Sequence, residues 1–266
     1  MGYLGFDETG LDMADEPMAA GDTGEEADPV EWARRMVGFA ADEKQATVLR
    51  SEKKRVILNC SRQWGKSTVT AVKATHFAAH HPGSTTIVLS ASARQSREFV
   101  RKAAEFARLA GLRTKGGGGP DHGLVLPNRA RIVGLPSKEE TIRGFSAVGL
   151  LLIDEASRVS DALYTAVRPM LAVSNGSLWL MSTPNGKTGF FWDVWSRGEE
   201  DWERVEAPAT ECPRISREFL EAEEKAMLGR VFRREYLCCF EDAETSVFGA
   251  DEVRRAFSGE FGGLRL

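Results

Sequence analysis

Apolar residues along this chain of 266 residues fall into two kinds of pattern. Short apolar runs at Val56-Ile57-Leu58, Thr85 to Ser90, Val148 to Ile153 and Leu178 to Met181 have the length of strands buried on both faces. Trp202 to Ala207 predicts a fifth strand. Helical spacing fills the intervals. One amphipathic helix is predicted from Pro29 to about Arg50, with Trp32, Met36, Phe39 and Val48 among its apolar residues. A second opens after Gly65 and runs to about Ala79, where His80-His81-Pro82-Gly83 ends it. A third covers Ala93 to about Ala110, and two more are expected near Ser216–Leu228 and Val231–Phe240. Leu124-Val125-Leu126 and Ala130 to Leu135 read as a hairpin turning at Asn128-Arg129, after a flexible Gly116–Gly119 loop. Buried strands alternating with helices imply an α/β fold, its mainly parallel central sheet flanked by helices on both faces. No internal repeat is evident.

Composition narrows this further. An apolar content of 42% is enough for a core, and the length suits one large domain, at roughly 100–200 residues per domain. The net charge of −4 hides a split. Residues 1–28 hold nine carboxylates and no Lys or Arg, so that segment carries −9 and the rest of the chain +5. We read 1–28 as a disordered acidic tail. The acidic total therefore says nothing against a DNA partner for the body. The longest apolar run, Ala147 to Ile153, is far short of the roughly 18–20 residues that span a bilayer, so no membrane association is expected. The acidic N-terminus does not resemble a secretion signal. Four cysteines without CxxC spacing suit a reduced cytoplasmic protein, with Cys238-Cys239 read as buried thiols in an apolar helix. His76 and His80 are four apart, but Phe77 stands where a zinc protease motif needs Glu.

The strongest chemical signal is Cys60-Ser61-Arg62-Gln63-Trp64-Gly65-Lys66-Ser67-Thr68, between a strand and a helix. In a phosphate-binding loop, backbone N–H groups wrap the phosphates and the helix N-terminus adds its positive end. Gly65 allows close backbone approach, Lys66 reaches the β and γ oxygens, and Ser67 can ligate Mg²⁺. Cys60 occupies the place of the first motif glycine, so the strict pattern fails by one residue. Leu150 to Ile153 then leads into Asp154-Glu155. In a parallel sheet those acids reach the rim where the loop lies. Asp154 is expected to hold Mg²⁺ through water and Glu155 to orient an attacking water. ATP and Mg²⁺ are the implied ligands.

These residues resemble the ATPase domain of large terminase subunits, the motors that package DNA into tailed-phage capsids. Ser61 to Thr68 resembles their deviant loop, with an Arg inside it and no leading Gly, and Leu151 to Ala156 resembles their Walker B strand. Met181-Ser182-Thr183-Pro184-Asn185-Gly186 resembles their coupling motif, and Lys44-Gln45 their adenine contact. Thr141-Ile142-Arg143-Gly144, with Arg143 twelve residues before Glu155, resembles the segment bearing a finger arginine. The resemblance covers about residues 42–245 and implies a P-loop NTPase of the ASCE or RecA-like type. It implies that Arg62 stabilises the transition state in cis and Arg143 in trans, from a neighbouring subunit of a ring. Ser182 and Thr183 would sense the γ-phosphate, although an ordinary turn before Pro184 reads the same way. Double-stranded DNA, a homo-oligomeric ring on a portal and a small terminase subunit are the implied partners, in the cytoplasm of a bacterial host.

DNA contact has a softer signal. Arg94, Arg97, Arg101 and Arg108 fall in one stripe of their helix, which suits either phosphate tracking or a solvated face. Residues 29–245 are expected to form the ATPase and 246–266 a remnant or linker. The RNase H-like nuclease domain of full-length terminases has no room, despite the acids Glu241, Asp242 and Glu244, and no DNA cleavage is expected. A helicase-like ATPase and a nucleotide-binding remnant without motor activity are the alternatives.

Overall fold

Val56 to Cys60 of β1 (Arg55–Cys60) are all buried, so the strand needs neighbours on both edges and cover on both faces. β7 (Ser177–Ser182) and β8 (Trp202–Ala207) run parallel along its two edges. Beyond β7 the sheet continues through β6 (Leu150–Asp154), β2 (Thr85–Ser90) and β5 (Arg131–Pro136), all parallel. The short strands β4 (Gly123–Val125) and β3 (Lys115–Gly116) close that edge in antiparallel register. The computed structural model describes residues 28–116, 123–137, 144–198 and 200–242. Across those residues the sheet has eight strands in the order β3-β4-β5-β2-β6-β7-β1-β8. This is the expected mainly parallel sheet, and the expected hairpin turns through Arg129 at φ 66°.

Side-chain alternation divides the core into two layers. Val56, Leu58, Leu150, Leu152, Trp179 and Met181 face a layer formed by α1 (Pro29–Val37), α2 (Glu43–Arg50), α3 (Lys66–His80) and α4 (Ala93–Leu109). Ile57, Leu151, Ile153, Leu178 and Leu180 face the other way, onto α5 (Asp161–Val167) and α6 (Gly189–Arg197). Lys73 of α3 donates to the carbonyls of Leu49 and Ser51 at 2.7 and 2.8 Å, pinning the end of α2 onto α3. Its burial pushes the ammonium pKa down to about 8. A third, smaller cluster, with Leu220, Phe232 and Tyr236, joins α7 (Arg217–Ala226) to α8 (Gly229–Tyr236). No helix among the described residues is long and apolar enough to cross a membrane.

The structure corrects three elements. The helix expected over Pro29 to Arg50 is two helices. Gly38 ends α1 in the left-handed conformation at φ 66°, and Asp42 starts α2 with a capping box closed by Gln45. No helix was expected between Asp161 and Arg197, where α5 and α6 lie; α5 has seven residues, too few to show a period. The last helix stops at Tyr236 rather than Phe240, because the chain turns through Cys238 at φ 59°. Cys238-Cys239 therefore lie outside any helix, with Cys238 buried and Cys239 half-buried. The Cys238 carbonyl accepts from Asn59 Nδ2 of β1 at 2.8 Å, which docks this C-terminal segment against the central strand. The acidic tail up to residue 27, the loop from Gly117 to Gly119, Glu244 and residues 246–266 lie outside the described residues.

α4 reaches the sheet through a missing side chain. A Cβ on Gly134 of β5 would lie 2.7 Å from the Ser96 carbonyl oxygen and 2.9 Å from Val100 Cγ2. Gly134→Ala should therefore force α4 away from β5 and lower the melting temperature by roughly 3–10 °C, as overpacking against backbone does. An unchanged thermal transition would show that α4 yields freely.

Candidate functional site

β1 delivers the chain at Cys60 to the loop that enters α3. Two residues of that loop, Gln63 at φ 61° and Gly65 at φ 97°, take left-handed conformations and fold it over the strand end. Gly65 is favoured for that φ, and a Cβ there would also crowd Gln45 Nε2 at 3.2 Å. No side chain caps α3, and Gly65 to Thr68 line a cleft of about 610 Å³. That is the size of a small-molecule site, at an uncapped helix N-terminus suited to anions. Cys60, in the place of the missing glycine, is buried, and desolvation pushes its thiol up to about 12, so it stands there as a neutral thiol.

Groups remote in sequence fix the loop from behind. Trp64 is buried, and its carbonyl accepts from Gln45 Nε2 at 3.2 Å and from Arg214 Nη2 at 2.7 Å. Arg214 also pairs with Asp42, the cap of α2, at 2.8 Å. Ser61 N donates to the Ala207 carbonyl at 2.9 Å and Arg62 N to the Glu235 carbonyl at 2.8 Å. Gln45, expected as an adenine contact, is buried, and its Oε1 accepts from Asp42 N at 3.3 Å. Both ends of its amide are thus engaged by the protein. The guanidinium of Arg62 lies on the cleft wall, where its Nε pairs with Glu235 Oε2 at 2.6 Å.

The opposite wall comes from β6. Asp154 is 8% exposed, and its carboxylate accepts from Ser67 Oγ at 3.2 Å and from Glu155 N at 3.0 Å. Burial pushes its pKa up, against the opposing pull of Lys66. Glu155 adopts φ 53°, ψ 40°, an unfavourable backbone for a side chain of its kind, and such strain gathers at functional sites. Its carboxylate lies 3.2 Å from Lys66 Nζ and 3.9 Å from Arg158 Nε. A buried carboxylate beside a hydroxyl oxygen is a hard donor set of the kind that suits Mg²⁺. Register places the end of β7 between these walls, because Asn59 faces Ser182 and Asp154 faces Met181. Ser157 Oγ joins Ser182 Oγ at 2.8 Å and donates to the Thr183 carbonyl at 2.9 Å.

The structure thus brings together Arg62, Gln63, Lys66, Ser67, Thr68, Glu155 and Thr183 on one cleft, while Asp154 is buried against Ser67 and Ser182 against Ser157. Arg143 lies outside the described residues. Arg94, Arg97, Arg101 and Arg108 lie on the exposed face of α4, but Glu98 and Glu105 share that face, and Arg101 pairs with Glu98 at 2.7 Å. Sequence reasoning missed Arg158, Lys102, Arg214 and Glu235. Arg158 could have been read from its place three residues after Glu155. Arg214 and Glu235 carry no local signal, being more than a hundred residues from the loop they hold.

The latch geometry makes a prediction that separates support from ligand contact. Gln45→Met removes hydrogen bonds to Asp42 N and Trp64 O, so the nucleotide-free protein should lose roughly 1–2 kcal/mol, or about 2–8 °C in Tm. A side chain serving only adenine would leave that transition unmoved.

No curated protein matches the chain in sequence. Among solved structures, the large terminase ATPase domain of Thermus phage P74-26 superposes with a TM-score of 0.72 at 20% identity, over 80% of this chain and 98% of that one. The large terminase of bacteriophage HK97 gives 0.64 at 16% identity, over 80% of this chain and 55% of its own. A large terminase from a thermophilic bacteriophage, in complex with ADP, gives 0.66 at 16%, over 76% and 54% respectively. The chain thus spans about half the length of these last two proteins. These likenesses show a P-loop NTPase-like fold. Residues 57–255 match the family described as terminase large subunit, T4likevirus-type, N-terminal, and the chain belongs to that family as a phage terminase large subunit ATPase domain.

Proposed function

We propose that this chain hydrolyses ATP and that hydrolysis drives double-stranded DNA into a viral procapsid. The observation that carries the reading is one cleft lined by Lys66, Ser67 and Glu155, with buried Asp154 hydrogen-bonded to Ser67, the two groups following strands β1 and β6 on either side of β7. Residues 29–245 are assigned to the ATPase unit, acting in the cytoplasm of the bacterial host.

In this reading the loop and the first turn of α3 bind the triphosphate, and Lys66 leaves Glu155 for the β and γ oxygens. Ser67 and Asp154 would hold Mg²⁺, which when bound neutralises charge on the phosphate oxygens. Glu155, released from Lys66 and still near Arg158, accepts the proton of the attacking water. Arg62 moves onto the γ-phosphate, where a guanidinium stabilises spreading charge. Ser182 and Thr183 report the change to DNA-gripping surfaces through Ser157, with the α4 arginines a candidate surface of that kind. Arg143 acts on the site of the next subunit in a ring seated on a portal, which a small terminase subunit can join. Gln45 keeps an adenine contact only if the amide gives up one of its two hydrogen bonds.

ATPase activity measured with and without double-stranded DNA, across protein concentration, tests the reading. Mg²⁺-dependent turnover stimulated by DNA is expected, and nucleotide binding without any turnover would mark a remnant. Glu155→Gln should bind nucleotide but hydrolyse it at least ~100-fold more slowly, and near wild-type turnover would remove Glu155 from its role. Arg143→Ala should lower the rate only at concentrations where rings assemble; an equal loss in dilute monomer would refute action in trans.

A further inference from the structure

The Arg62–Glu235 pair has features that an ordinary surface ion pair lacks. Glu235 comes from α8 and its side chain is 10% exposed, whereas that of Arg62 is 63% exposed. The carboxylate holds two arginines, Arg62 at 2.6 Å on Oε2 and Arg234 at 3.1 Å on Oε1. The Glu235 carbonyl separately accepts from Arg62 N at 2.8 Å, so the backbone tie does not depend on the side chain. Arg62 and Glu235 both line the phosphate cleft. Removing one partner of a buried pair normally strands a charge. Here Arg62 can leave and Arg234 still neutralises the carboxylate.

We propose that Glu235 is a positioning residue that competes with the terminal phosphate for Arg62 and so sets the preference of the site for triphosphate over diphosphate. The proposal rests on the ATPase reading above. Without a γ-phosphate, Arg62 stays on Glu235. With one, the guanidinium exchanges a carboxylate for a phosphoryl oxyanion, while the backbone bond keeps α8 in register with the loop. No covalent bond changes. The carboxylate that Arg62 leaves is passed wholly to Arg234, so the strength of the Arg234 contact helps to decide how readily Arg62 departs.

The test is equilibrium binding of ATPγS and of ADP, each with Mg²⁺, to the full chain and its variants, with Tm recorded for each. Glu235→Gln keeps the shape and weakens the hold, so ATPγS should bind about five-fold more tightly while ADP affinity stays unchanged. Arg234→Ala leaves Arg62 as the carboxylate's sole partner among the described residues, so ATPγS should bind several-fold more weakly, again with ADP unmoved. In an Arg62→Ala background both substitutions should lose their effect on the ratio. A structural role for Glu235 predicts instead a fall in Tm and equal losses for both nucleotides. Nucleotide binding with an unchanged ATPγS to ADP ratio in Glu235→Gln, or shifts of the same sign in the two variants, would overturn the assignment alone. Absence of nucleotide binding in the wild type would overturn the ATPase reading and this assignment together.

Discussion

A carboxylate at 8% exposure is the constraint around which the site is arranged. Removing such a group from water costs several kcal/mol unless hydrogen bonds and opposite charge compensate. Asp154 obtains both: Ser67 Oγ and the Glu155 amide donate to it, and Lys66 supplies the charge. Ser67 and Lys66 begin α3, so the loop after β1 must lie within hydrogen-bond reach of the end of β6. The strand order places β7 between those two strands. The loop and first turn of α3 therefore span one intervening strand, and whatever ends β7 is drawn into the site. Ser182 and Thr183 owe their position beside the cleft to that topology, independently of any role in coupling.

The loop itself is unusual in having no leading glycine, and its shape is held from outside. The Trp64 carbonyl is bonded twice, by Gln45 from one side and Arg214 from the other, and the loop's early amides bond to Ala207 and Glu235. Three segments far apart in sequence therefore meet on three loop residues, Ser61, Arg62 and Trp64. Such over-determination is what holds Gln63 and Gly65 in left-handed backbones. It also ties the loop to α8 and, through Asn59 and the Cys238 carbonyl, ties β1 to the segment beyond α8.

Much of this was legible in the sequence, for reasons that can be named. Strands buried on both faces are written as unbroken apolar runs, so β2, β6 and β7 could be located to within a residue or two. The residues whose chemistry is local, Gly65 to Ser67 and Asp154-Glu155, are also the ones read directly. Gly38 and Asp42 were present as stop and start signals, yet the apolar spacing across them concealed the break between α1 and α2. α5 was too short for its period to register. Glu235 and Arg214 act only through tertiary contact: an Arg or Glu on an amphipathic helix or a loop looks the same whether it faces solvent or grips a backbone carbonyl.

The two pairs Lys66–Glu155 and Arg62–Glu235 act in one direction. Each sets a carboxylate against a cation that lines the cleft, at 3.2 Å and 2.6 Å. In the proposed function the cleft would meet a triphosphate with part of its positive charge already neutralised, and binding would exchange ion pairs rather than create them. In that reading exchange lowers affinity for the bound nucleotide without by itself changing the barrier to the chemical step, because the same pairs are open in both states. It would also give the proposed reaction a way to release product, with the carboxylates returning to their cations as the phosphate leaves. Arg158 and Lys102 add positive charge to the same walls, so the cleft stays cationic overall even with both pairs closed. A site built this way would attract a polyanion from a distance without trapping it, the combination that the proposed hydrolysis requires.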